Sequence, residues 1–133
     1  MTVTGLIMQR SQFGPGETMD RLEKAVKAKG MTVFARIDHA AGAKEVGLEL
    51  RPTAVLIFGN ARAGTLPMQT AQTLGIDLPL KALVWQDAAG ATWISANDPA
   101  WLAERHRAGA ASATAAMSAA IDAVTQEAAG AVT

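Results

Sequence analysis

A chain of 133 residues, half of them apolar and 18% charged, is long enough to bury a core and is expected to fold as a single domain over residues 1–133. Its 12 Lys and Arg balance 12 Asp and Glu, so no broad positive field exists to draw nucleic acid or an anionic membrane surface, and neither is expected as a partner. Cysteine is absent, which removes disulfides, thiolate nucleophiles, thiolate zinc sites and cysteine-held iron–sulfur clusters.

The start, Met1-Thr2-Val3-Thr4-Gly5-Leu6, has no basic segment followed by a long apolar stretch. No segment reaches the roughly 20 consecutive apolar residues that span a bilayer, and a cytoplasmic protein is expected. Residues 2 to 10 alternate in a way that suits a first strand, ended by Gly14-Pro15-Gly16. From Glu17 to Lys29, Met19, Leu22, Ala25 and Val26 recur at helical spacing, and Gly30 is placed to cap the helix. Glu17/Arg21, Asp20/Lys24 and Glu23/Lys27 are opposite charges four apart, which predicts a solvated charged stripe rather than a binding surface.

A second strand follows, with Met31, Val33, Ala35, Ile37 and His39 predicted on one face and Thr32, Phe34, Arg36 and Asp38 on the other. Ala40 to Glu45 suits a short helical turn. Thr53 to Phe58, opened by Pro52 and closed by Gly59-Asn60, reads as a central strand buried on both faces. A loop carrying Asn60, Arg62, Gly64 and Thr65 leads into a predicted helix with Thr65 as its cap and Gly75 at its end. Free N–H groups at such a junction can hold an anion, and Arg62 can add charge-assisted hydrogen bonds. The spacing fits neither the phosphate-binding loop nor the dinucleotide fingerprint, and no cofactor is expected.

Leu78 to Gln86 and Ala91 to Ala96 predict a hairpin joined by Asp87-Ala88-Ala89-Gly90, with Trp85 and Trp93 available for cross-strand packing. Asn97-Asp98-Pro99 predicts a helix start, with Asp98 as N-cap and Pro99 at the first helical position. That helix is expected to run to about Gly109. From Ser112 onward, Met117, Ala120, Ile121, Val124 and Ala128 mark one face of a long terminal helix. The order predicts an α+β fold, a mainly antiparallel sheet covered by helices in β-α-β(n)-α order.

Few residues offer chemistry. Histidine is the side chain best suited to proton transfer near neutral pH, which makes His39 a candidate general acid or base beside Asp38. Neighbours in a strand point to opposite faces, however, so Asp38 orients His39 only if the strand ends or bulges there. A metal site needs three or four ligands, and the chain's 2 histidines, His39 and His106, stand far apart in sequence; no metal is expected. His106, in the polar segment Glu104-Arg105-His106-Arg107, is expected to meet solvent or a helix dipole. Asp77 and Lys81 stand four apart, but Pro79 prevents a helical pairing, which leaves Asp77 as a turn cap and Lys81 as a strand-edge charge.

Phe34-x-x-Ile37-Asp38-His39, Leu48-x-Leu50-Arg51-Pro52-Thr53, Ile57-Phe58-Gly59-Asn60 with Gly64-Thr65 and Met68, Asp77-Leu78-Pro79-Leu80-Lys81 and Asn97-Asp98-Pro99 occur in that order. Together they resemble the bacterial and archaeal family catalogued as domain of unknown function 302. The resemblance implies a TATA-binding-protein-like architecture, often a homodimer, with no established activity. It places a family pocket at His39, Asn60, Arg62, Thr65 and Lys81. Three positions depart from it: Ala61 replaces a Pro, Leu66-Pro67 inverts the usual order, and Ala96 stands where a Tyr is common. Three functions fit these residues. The first is a non-catalytic homodimeric module that binds a small anionic or amphipathic molecule. The second is an enzyme using His39, and the third is a structural self-association module.

Overall fold

The strands β1 (Leu6–Ser11), β2 (Thr32–Asp38), β3 (Thr53–Gly59), β4 (Leu80–Gln86) and β5 (Thr92–Asn97) form one antiparallel sheet in the order β1-β5-β4-β3-β2. The structure is a computed structural model that describes residues 2–109 and 111–131. Among the described residues five α-helices accompany the sheet: α1 (Pro15–Ala28), α2 (His39–Glu45), α3 (Ala61–Thr70), α4 (Pro99–Arg105) and α5 (Ala111–Ala129). A 3-10 helix, Gln72–Ile76, follows α3. The α+β class and the antiparallel sheet expected from the sequence are both present.

Local signals set α1, and long-range contacts decide what its charged face does. Pro15 occupies the first turn, and Gly30 reverses the chain at a φ of +77°, which costs a residue without Cβ little. Met19, Leu22, Ala25 and Val26 are buried against the sheet. Of the expected acid–base pairs only Glu23–Lys27 appears, at 4.0 Å. Asp20 instead meets Arg36 of β2 at 2.9 Å. Arg21 donates to the carbonyls of Glu127 (2.9 Å) and Ala128 (3.1 Å), with its guanidinium 4.2 Å from the ring centre of Phe13. A cation at the C-terminus of α5 satisfies carbonyls that have no intrahelical partner. The charged stripe of α1 is therefore partly a clamp between elements.

The core lies between the sheet and the pair α1 and α5. Leu56 and Phe58 of β3, Val84 of β4, Ile94 of β5, Leu22 of α1 and Val124 of α5 are among its buried members. Ala96 is buried there too, beneath α5, so the small residue at this position fills core space. The sequence places Thr53–Phe58 at the sheet's centre with both faces buried. The structure corrects this: β4 is central, and β3 buries Leu56 and Phe58 on the helix side while Val55 and Ile57 stay half-buried on the other. Strand order is set by pairing between distant segments, which a local apolar run does not encode.

A β-bulge between Val33 and Ala35 also overturns the expected alternation of β2. Val33 opposes Phe58 and Arg36 opposes Leu56, so both face the helices, whereas Ala35 and Ile37 pair with Ile57 and Val55 on the opposite face.

The hairpin of β4 and β5 forms as predicted, with Trp85 opposite Trp93 and ring centres 6.4 Å apart. Asp87 organises its turn: Oδ1 accepts from the N–H groups of Ala89 and Ala91, and Oδ2 from Trp93 Nε1 at 2.9 Å. The hydrogen bond from Trp93, helped by those backbone donors, holds the Asp87 carboxyl below its ordinary pKa. Trp85 Nε1 donates to Ser95 Oγ at 2.9 Å. The sheet face away from α1 and α5 thus carries a half-buried apolar surface that includes Val55, Ile57, Leu83, Trp85 and Trp93.

At the other end of the sheet, Gly5 accepts a 2.7 Å hydrogen bond from Asp98 N with the indole of Trp101 packed on it. A Cβ at Gly5 would stand 2.3 Å from that ring. As predicted, Asp98 caps α4 through Ala100 N at 2.9 Å.

Candidate functional site

The junction of β3 and α3 borders a mostly apolar cavity. Phe58 is buried, the chain turns at Gly59-Asn60, and α3 begins at Ala61. This corrects the expected start at Thr65 by one turn. Asn60 is the N-cap, its Oδ1 accepting from Ala63 N at 3.1 Å, and Thr65 Oγ1 donates to the Ala61 carbonyl at 2.6 Å. Asparagine at this position satisfies an orphan N–H, which lets the helix start before the expected loop is used up.

A cavity of about 650 Å³ opens beside this turn. Asn60, Arg62 and Thr65 line one side of it. Leu78, Pro79 and Leu80, leading into β4, form another wall, with Met31 and Phe34 of the bulged β2 region and Ala116, Met117 and Ala120 of α5 completing it. Among the described residues Arg62 is the single charged one in the lining, it is exposed, and no ion pair or hydrogen bond holds its guanidinium. A groove of similar volume, about 660 Å³, lies between α1 and α5, but it mixes Lys24 and Lys29 with Glu127, and its Arg21 is already engaged by carbonyls.

The structure separates the remaining sequence candidates from this cavity. His39 is exposed at the first position of α2, with no side-chain hydrogen bond or ion pair among the described residues. Asp38 does end the strand beside it, but its Oδ1 accepts from Ala41 N at 2.9 Å as the N-cap of α2. Lys81 stands on the sheet face away from α1 and α5, its Nζ 3.3 Å from the Asp77 carbonyl. It belongs to the central strand, so its expected place at a sheet edge is also corrected.

His106 is another correction. Its side chain is only 8% exposed, with Nε2 2.5 Å from Asp77 Oδ2 and Nδ1 2.9 Å from Thr73 Oγ1. A carboxylate can only accept, so Nε2–H donates to Asp77, and in the neutral ring Nδ1 accepts from the Thr73 hydroxyl. Arg105 Nη1 meets the same carboxylate oxygen at 2.7 Å. Burial raises the Asp77 pKa, but the hydrogen bond from His106 and the charge and hydrogen bond of Arg105 outweigh it and hold the carboxyl below its ordinary value. This cluster ties α4 to the segment whose Gly75 and Leu78 line the cavity. Among the described residues no group of three or more His, Asp or Glu converges as a metal site.

Of the residues named from the strand-to-helix junction, Asn60, Arg62 and Thr65 line this cavity. Sequence reasoning did not name Met31 and Phe34 as lining residues, the second of which stands at the bulge, and it read Ala116, Met117 and Ala120 as a packing face.

The family model for domain of unknown function DUF302 matches residues 7–124. The chain belongs to this family. A solved DUF302 relative, the uncharacterized conserved protein from Bacillus stearothermophilus, has the same fold: the TM-score is 0.84 at 23% identity, over 94% of this chain and 98% of that one. Two curated relatives are each 50% identical over 109 residues, or 82% of this DUF302 chain: Fluoride-specific ion channel FluC 1 of Brucella suis biovar 1 (strain 1330) and Fluoride-specific ion channel FluC 1 of Brucella abortus biovar 1 (strain 9-941). The chain spans 43% and 40% of their lengths. No described helix of this DUF302 chain is long and apolar enough to cross a membrane.

Proposed function

We propose that this DUF302 chain is a non-catalytic cytoplasmic module that binds a small amphipathic anion in the cavity between α3, β4 and α5. The observation that carries this reading is an apolar cavity of about 650 Å³ whose single charged lining residue, Arg62, has no ion pair or hydrogen bond among the described residues. That volume lies within the range of about 300–1,000 Å³ that buries a drug-sized ligand, and apolar walls with few convergent polar groups are the usual make-up of such sites. His39 has no oriented partner, because Asp38 caps α2 and Asp77 is held by His106, which weakens the enzyme reading. Native mass spectrometry of the protein as purified is expected to show retained mass on wild type and to lose it in Arg62→Ala. Equal retention in both would overturn the assignment to this cavity.

The module is read as a homodimer whose contact is the apolar sheet face around Trp85 and Trp93. Unpartnered apolar surface of this kind favours association. Sedimentation at micromolar concentration is expected to show a dimer, and Leu83→Glu, which places a charge on that face, is expected to give a monomer. A wild-type monomer would remove this part of the reading.

The Brucella relatives suggest a context for the module. A conduction path needs membrane-crossing elements, and the described helices of this chain supply none, so in those proteins the matching part is read as a sensor attached to a pore formed by the rest. Fluoride itself does not suit the cavity. A small hard anion needs several converging donors, and the lining here is apolar apart from Asn60, Arg62 and Thr65 at one end.

A further inference from the structure

The lining of this cavity is polar at one end only. Asn60, Arg62 and Thr65 all belong to the N-terminal part of α3, and two of them are engaged at one atom each: Asn60 Oδ1 accepts from Ala63 N, and the Thr65 hydroxyl donates to the Ala61 carbonyl, which leaves the Asn60 amide group beside Arg62 at this end. The remaining side chains are hydrocarbon, thioether or none at all. Among the described residues, no buried side-chain nitrogen or oxygen is left without a partner, so the interior offers no side-chain group to a second polar atom of a ligand. A polar group carried inward would lose its water without replacement. The ligand's polarity must therefore be confined to one end, and a single cation there selects a single negative charge.

The walls also say something about the body of the ligand. Met31, Met68 and Met117 contribute flexible thioether chains, which adapt to a mobile occupant. Phe34, the single aromatic residue of the lining, is 53% exposed, so no pair of rings encloses a flat ligand. Gly64 and Gly75 keep the wall near Met68 free of side chains, and a Cβ at Gly75 would sit 3.4 Å from Met68 Sδ.

We infer that the cavity takes a monoanion with an unbranched alkyl chain of medium length, its head at Arg62 and its tail along the methionine-lined wall. This rests on the binding reading above and narrows it. Each methylene that leaves water for the cavity should tighten binding until the cavity is full, whereas a ligand held by its charge alone shows no such dependence.

The test is calorimetric titration of wild-type protein with hexanoate, octanoate and decanoate, alongside acetate, decanol and 1-naphthoate. From hexanoate to decanoate the Kd is expected to fall by about fourfold for each added methylene. Acetate should not bind measurably. Decanol is expected to bind about tenfold more weakly than decanoate, and Arg62→Gln should bring decanoate to the level of decanol. Ala120→Leu fills the cavity from α5 and should abolish decanoate binding. Ala116→Leu, at an exposed position of the same wall, is the second blocking variant should the first fail to fold. Binding of 1-naphthoate that the blocking variants remove, with decanoate silent or flat across the series, overturns the alkyl-chain inference and leaves the cavity as a binding site. Failure of decanoate, decanol and 1-naphthoate alike overturns both.

Discussion

Replacing Phe58 by Ala is expected to destabilise the protein by about 3–5 kcal/mol, the largest effect of any single side chain considered, with a Tm lower by roughly 10–20 °C. Phe58 is fully buried, with Val33 of β2 opposite it on one side and Leu80 of β4 on the other. Truncation would lose the transfer energy of the ring and leave a void where neighbours on both sides are fixed by the ladder, so relaxation is limited. Phe58→Leu keeps most of the apolar volume and should recover all but about 1–1.5 kcal/mol. Urea denaturation of the three proteins measures this directly. A loss below about 1 kcal/mol for Phe58→Ala, the scale of an ordinary substitution, would show that the core does not close around this ring.

The second large effect is expected at Asp77. Its side chain is 16% exposed, and it accepts from His106, whose ring is 8% exposed. Asp77→Ala should cost about 1–3 kcal/mol, mainly because His106 Nε2–H is left without an acceptor in a site with little access to water. Arg105 contributes less, since its side chain is 51% exposed and solvent screens the pair. The pH dependence has a definite sign. A carboxyl held below the ordinary value of 3.8 adds stability above that value and loses it as the pH falls through the folded-state pKa. The gap between wild type and Asp77→Ala should therefore narrow in acid below pH 3.8. A gap that widens in acid would reverse the assignment. Because this cluster anchors the segment carrying Gly75 and Leu78, the variant should also weaken whatever the cavity binds.

The elements that the sequence made legible are those fixed by neighbours along the chain. The helix from Pro15 to Ala28 follows from apolar spacing and its flanking glycines, the β4–β5 hairpin from its Asp87 to Gly90 turn, and α4 from its Asp98-Pro99 start. What was not legible depends on partners remote in sequence. His106 looks like a solvated residue until the fold brings Asp77 and Thr73 to it, 29 and 33 positions away. Thr53–Phe58 looks central until β4 is seen to lie between it and β5. The cavity was half legible for the same reason. Arg62 sits at a junction that can be read locally, while Ala116 and Ala120 reach it through the packing of α5 against α3.

The bulge between Val33 and Ala35 has a further consequence for solution behaviour. It lies in β2, one of the two margins of the sheet, where regular backbone would present an uninterrupted row of N–H and C=O groups to any passing strand. A break in that row misaligns the hydrogen-bonding sites, and the added local twist turns the strand away from a flat approach. A bulge at this margin disfavours edge-to-edge pairing with a strand of a second copy, even though Phe34 and Ile37 beside the break are exposed and apolar.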